Sequence, residues 1–344
     1  MPHNKNAFDL LRLILAVLVL VSHAFYFTDH NSEPLAVLSK GQVNMGDVGV
    51  MGFFCLSGYL ITASFDRAPN ILLFLRNRFL RIFPGYWVSL IVTAFVIAPL
   101  LFYVNNRSLT GFPFFGTNSS LSYIYSNIYL NIKQYSIGNI LNYSAYKQSI
   151  NGSLWSLFPE ITCYIFTIVL GFFGLIKTNR QTFLLFFIFA YTVYVVNIYT
   201  YNQVGPTFFI LSNARALYTC YLCGTCLYIF KDDIIIDIKG QLFIALIAIA
   251  VLRFGGFLII APIVFAVLCI RGFSGFQLNF KYDLSFGLYI YAFPVEHVVF
   301  NLAGARLPFV VNIFLAGLIT TGLAFLSFVF VERVFLRLKS KKTV

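Results

Sequence analysis

The first apolar segment, residues 8–27, sets the terms for the rest of the chain. It opens with Asp9 and Arg12, runs without a charge from Leu13 to Val21, and then reaches His23. Eleven residues separate Arg12 from His23. At ~100° per residue the two side chains fall within roughly 20° of one helix face, about 16 Å apart along the axis. A charged group facing lipid is costly, so this face should look into protein or a wet cavity. A plainer reading stands beside that one: Arg12 snorkels to the headgroups and His23 is a polar packing residue.

The rest of the sequence makes the first segment one of many. Of 344 residues, 59% are hydrophobic and only 10% charged, where a soluble domain of this length carries nearer ~25% charge. The expected fold class is all-α: one polytopic membrane helical bundle, residues 1–344, treated as a single domain. The 41 Phe and 21 Tyr suit lipid-facing and interfacial positions. The N-terminus does not read as a cleaved leader, because its apolar run carries Arg12 and ends in Ser-His-Ala-Phe. Low charge and an apolar body argue against a nucleic-acid partner. The six cysteines lie in apolar segments, and Cys220, Cys223 and Cys226 read as small packing residues rather than metal ligands.

Ten spans are expected, near 8–27, 47–65, 82–104, 152–173, 182–200, 208–230, 241–253, 255–270, 284–303 and 308–331. Arg253 and Gly255-Gly256 separate the short seventh and eighth, which suggests a tight hairpin. With the N-terminus in the cytoplasm, 17 of the 24 Lys and Arg residues fall on the cytoplasmic side and six outside, Arg215 lying within a span. That asymmetry supports both termini in the cytoplasm and an even number of spans.

Four stretches carry chemistry. Gly49, Gly52, Ser57 and Gly58 spread small residues through the second span, which permits close approach of a helix or ligand. Arg76, Arg78 and Arg81, followed by Pro84, Tyr86 and Trp87, read either as a positive-inside anchor or as a phosphate site with aromatic neighbours for a nucleotide base. The long outer loop, residues 105–150, is rich in Asn, Ser and Tyr and suits either glycan contact or ordinary solvation. It leads into Asn151-Gly-Ser153-Leu-Trp155-Ser156-Leu-Phe-Pro-Glu160. Glu160 reads as the one acid well inside a span, about 13 Å below the outer end, and is a functional candidate or an ion-pair partner. His297 reads as a packing residue.

Taken together, these segments resemble the acyltransferase family 3 membrane proteins. Arg12 and His23 match that family's Arg-x10-His. Phe53-Phe54-Cys55-Leu56-Ser57-Gly58 resembles its Phe-Phe-x-x-Ser-Gly, and Arg78-Phe79-Leu80-Arg81 its Arg-x-x-Arg. Leu154-Trp155-Ser156-Leu157 with Glu160 resembles Leu-Trp-Ser-Leu-x-x-Glu, and Asp283 to Pro294 the late Ser-x-x-x-Tyr-x-x-x-x-Pro span. Met51 and Ala292 stand where many relatives have an acid and a histidine.

The resemblance implies a bacterial inner-membrane O-acetyltransferase. Its donor would be acetyl-CoA and its acceptor a lipid-linked or surface glycan, such as O-antigen or capsule. His23, Glu160 and Arg12 would be catalytic. Arg76, Arg78, Arg81, Tyr86 and Trp87 would bind the donor, and Asn151, Ser153 and Trp155 the acceptor. Without the esterase-like domain fused to some relatives, the chain would complete the transfer alone or with a separate partner. Self-association as a homodimer stays open. The alternatives are a transporter or flippase of a lipid-linked sugar, whose buried Arg, His and Glu would form a substrate path, and, third, a glycan polymerase.

Overall fold

A computed structural model describes residues 7–28, 33–204, 214–275, 278 and 280–339. Every regular element among them is helical: α1 (Phe8–Ala24), α2 (Pro34–Leu38), α3 (Met45–Asp66), α4 (Ile71–Val92), α5 (Ala98–Asn106), α6 (Ser120–Asn127), α7 (Leu157–Phe172), α8 (Arg180–Val204), α9 (Arg215–Ile229), α10 (Ile238–Phe254), α11 (Phe257–Phe265), α12 (Gly272–Ser274), α13 (Ser285–Ala303), α14 (Phe309–Ser327) and α15 (Arg333–Arg337). Eight helical stretches among the described residues are long and apolar enough to cross a bilayer. The two shorter helices, α9 with 15 residues and α10 with 17, fall where the sixth and seventh spans were expected. Lys5, Lys341 and Lys342, which enter the charge asymmetry, lie outside the described residues. Apolar side chains on α8 and α10, such as Phe189, Leu185, Leu242 and Leu246, are exposed. On a chain this apolar they face lipid. The protein is a multi-pass membrane protein.

The chain forms two compact units. The first takes Met1–Leu15, Pro34–Phe74 and Pro159–Phe280; the second takes Ala16–Glu33, Leu75–Phe158 and Lys281–Val344.

The first unit is built on a close pair, α3 and α9. A Cβ on Gly58 would sit 2.0 Å from the Tyr221 carbonyl oxygen, and one on Gly224 would sit 2.0 Å from that of Cys55. Only glycine lets the two backbones meet. Thr62 Oγ1 bonds the Gly58 carbonyl at 2.7 Å and Thr225 Oγ1 at 3.1 Å, which locks the crossing. The six cysteines are free and buried, Cys55, Cys220, Cys223 and Cys226 among them in this pair, as packing residues should be. The expected hairpin is present. Gly255 and Gly256 take φ of 115° and 86°, and the Gln42 side chain joins both helix ends, donating to Leu252 O and accepting from Phe257 N, each at 2.8 Å.

Prolines inside the helices explain several side chains. A proline at position i supplies no N–H to the carbonyl at i−4, and lipid offers no substitute donor. In α11, Pro262 frees Leu258 O, and the Tyr194 hydroxyl donates to it at 2.7 Å. In the second unit a π-helical turn, Thr93–Ile97, joins α4 to α5. There the Ala98 N–H goes to Thr93 O and the next residue is Pro99, so Ala94 O is left over; Ser120 Oγ donates to it at 2.6 Å.

That bond also shows where the long loop goes. The rod Ile71–Asn106 ends at Asn106, and the chain then folds back along it. Tyr86 OH donates to Asn127 O at 2.5 Å and Trp87 Nε1 to Ile128 O at 3.1 Å. Tyr86 lies 20 residues before Asn106, about 30 Å down the rod, a distance comparable to a hydrocarbon core. The segment read as a solvated outer loop is therefore folded back along the rod, with Ser120, Tyr123, Asn127 and Leu130 buried.

Candidate active site

In the second unit His23 closes the last turn of α1. Its ring lies edge-on to Phe293, with centroids 4.7 Å apart, and 6.1 Å from Tyr26. Its Nδ1 is buried and has no hydrogen-bond partner. An imidazole held by rings with one nitrogen unused is what a proton acceptor needs. Arg12 stands on the same helix, where the 11-residue spacing puts it on the same face. In the first unit its Nη1 meets Asp9 Oδ1 at 2.8 Å.

The Asn151–Ser156 stretch is wired to α13 rather than open to solvent. Asn151 Nδ2 donates to Ile290 O at 2.9 Å, the carbonyl that Pro294 leaves without a helical donor. Asn151 Oδ1 accepts from Ser153 N at 3.2 Å. Ser156 Oγ and Tyr289 OH share a 2.6 Å bond. Gly152 fits because a Cβ there would meet the Phe293 ring at 2.7 Å. Asn151 is thus occupied in holding the chain. Ser153 keeps a buried Oγ without a partner, and Trp155 is 40% exposed. Of the three residues read as acceptor contacts, Ser153 and Trp155 retain groups to offer.

Glu160 follows in the first turn of α7 and belongs to the first unit, where Tyr164 OH donates to its Oε1; His23 belongs to the second unit.

The arginine cluster lies on α4 itself, not on a segment ahead of the span. Arg76 Nη2 donates to Leu338 O at 2.8 Å. Arg78 is half-buried. Arg81 Nη2 pairs with Asp283 Oδ2 at 2.6 Å, and its Nη1 lies 3.8 Å from Glu332 Oε2. Gly85, one turn on, allows this approach, since a Cβ would meet Phe286 at 2.8 Å and Glu332 Cγ at 3.5 Å. Tyr86 is fully buried, so its ring cannot flank a nucleotide without rearrangement; Trp87 is 36% exposed.

One reading of the acids needs correction. Glu160 is not the only acid inside a span. Glu296 lies mid-way along α13, fully buried, with neither carboxylate oxygen hydrogen-bonded. Glu332 is buried near Arg81. Both were legible as acids within apolar runs; the histidine beside one and the basic tail beside the other masked them.

A family model described as an acyltransferase domain matches residues 5–329. The chain belongs to this family. The acyltransferase is 27% identical to a protein named O-acetyl transferase from Shigella phage Sf6, an alignment covering 99% of this chain and 98% of that one. It is also 30% identical over 170 residues to nodulation protein 10 of Rhizobium leguminosarum bv. viciae, covering 47% of this chain and 43% of that protein. No solved structure matches. Family membership decides the class: the protein is an acyltransferase enzyme, and the transporter reading is set aside. Among its described residues no cluster of His, Cys, Asp or Glu is arranged to hold a metal ion.

Proposed function

We propose that this acyltransferase moves an acetyl group from acetyl-CoA to a hydroxyl of a lipid-linked or surface polysaccharide, in a bacterial inner membrane. The observation that carries the reading is the buried, unpartnered His23 Nδ1 at the end of α1. The name of the phage relative supports the acetyl group and the hydroxyl acceptor. The hydroxyl oxygen attacks the thioester carbonyl carbon and His23 takes its proton. The carbon–sulfur bond then breaks, the coenzyme leaves as a thiolate, and the proton on His23 neutralises it. The family resemblance marks Arg12 and Glu160 as catalytic as well; both lie in the first unit, Arg12 about 16 Å along α1 from His23.

Arg76 and Arg78 offer guanidinium groups to the donor's phosphates. Arg81 serves them from within its carboxylate pair. Both termini are cytoplasmic in this reading, which puts the arginine end of α4 where acetyl-CoA is found. Purified protein in detergent, given acetyl-CoA labelled in the acetyl group and lipid-linked glycan from the host membrane, should release CoA and label the glycan in equal amounts. Glycan left unlabelled while CoA binds would contradict the reading.

A further inference from the structure

Four rings close a circuit around His23. The centroids of His23 and Tyr26 are 6.1 Å apart, Tyr26 and Tyr146 5.6 Å, Tyr146 and Phe293 5.2 Å, and Phe293 and His23 4.7 Å. Phe293 is buried, Tyr26 is 47% exposed and Tyr146 half-buried. Tyr26 stands beside the His23 ring and Tyr146 beside Tyr26, and His23 Nδ1 has no partner. Tyr146 OH donates to the exposed amide oxygen of Gln148 at 3.1 Å, so the rim of the circuit is polar.

Tyr146 is held there by one imidazole. His297 Nε2 lies 2.8 Å from Ser149 O and its Nδ1 2.9 Å from Ser144 Oγ. A carbonyl only accepts, so Nε2 carries the proton and Nδ1 accepts from the Ser144 hydroxyl. The ring therefore clamps the chain on both sides of Tyr146, and the packing role expected for His297 takes a definite form.

We propose that Tyr26 and Tyr146 are the stacking platform for one pyranose ring of the acceptor, holding a sugar hydroxyl against His23, with His297 as the positioning residue for Tyr146. This rests on the acetyl-transfer reading above. A pyranose has an apolar C–H face and a rim of hydroxyls, which matches an aromatic face bordered by a phenol and an amide. The donor's nucleotide does not compete for the place. Phe293 lies ten residues along the chain from Asp283, the partner of Arg81, and α13 carries it about 12 Å from its first turn. The phosphate-binding guanidinium groups sit at that other end.

The test is steady-state transfer from labelled acetyl-CoA to lipid-linked glycan extracted from the host membrane and dosed by hexose content. Tyr146→Ala and Tyr26→Ala should each raise KM for glycan at least tenfold, leaving kcat and the KM for acetyl-CoA within about threefold. Tyr146→Trp should keep the wild-type KM. His297→Gln should raise glycan KM without moving acetyl-CoA KM. Thermal melting checks folding. If Tyr146→Ala melts early, Tyr26→Ala, at an exposed ring, decides. An unchanged glycan KM overturns the platform while leaving acetyl transfer standing. A rise in acetyl-CoA KM alone overturns it too, by making the rings a donor site. Wild-type protein that transfers nothing overturns both readings.

Discussion

Asn151 and Ile290 are 139 residues apart and meet through a 2.9 Å bond from the Asn151 amide to the Ile290 carbonyl. Pro294 is the reason for the contact. It removes the N–H that would have served that carbonyl, in a region where lipid supplies no replacement. Two stretches that stand out in the sequence, Asn151–Ser156 and the proline-bearing late span, are therefore halves of one structural device.

The device makes a cycle. Asn151→Leu should cost about 1–3 kcal/mol, the penalty of an unsatisfied buried carbonyl. In a Pro294→Ala background the restored N–H serves Ile290 O, and the same substitution should cost markedly less. Melting of the four proteins measures the coupling; equal costs in both backgrounds would remove the explanation.

Arg81 should separate from Arg78 in its effects. Arg81→Ala leaves Asp283 and the buried Glu332 without their guanidinium, at a cost of about 3 kcal/mol, the low end for a broken buried pair because Arg81 is partly exposed. Arg78→Ala should instead raise the acetyl-CoA KM about tenfold, with a melting loss smaller than that of Arg81→Ala. Matched melting losses would assign Arg78 a structural role.

Gly58→Ala and Gly224→Ala should each destabilise the first unit by about 3 kcal/mol or more, since the added methyl meets backbone rather than a movable side chain. Gly317→Ala, where a Cβ meets nothing within 4 Å, should be neutral or stabilising by up to ~1 kcal/mol. Melting in detergent ranks the three.

How much of this was legible follows from the range of each interaction. Helical spans, their polar residues and the hairpin at Gly255-Gly256 are local, and hydropathy and backbone preference reveal them. Gly58 was visible as a close-approach site, but Gly224 as its counterpart was not. The Arg81 pairing with Asp283 spans 202 residues, and no spacing rule reaches that far. The packing of the loop against the rod was hidden because Asn, Ser and Tyr compose a solvated loop and a buried, proline-serving one alike. Ser120 and Asn151 read as polar solvent or substrate contacts until Pro99 and Pro294 show which carbonyls need them. Tyr26 and Tyr146 lie 120 residues apart, so their meeting beside His23 was invisible as well.

The central claim is that His23 is the base of an acetyl transfer. The measurement that tests it most directly compares wild type with His23→Ala, following label from acetyl-CoA onto lipid-linked glycan while acetyl-CoA binding is measured on the same samples. The account predicts that His23→Ala binds acetyl-CoA with wild-type affinity, melts within a few degrees of wild type, and transfers at least about 100-fold more slowly, as loss of a general base requires. A variant that transfers at the wild-type rate would contradict it.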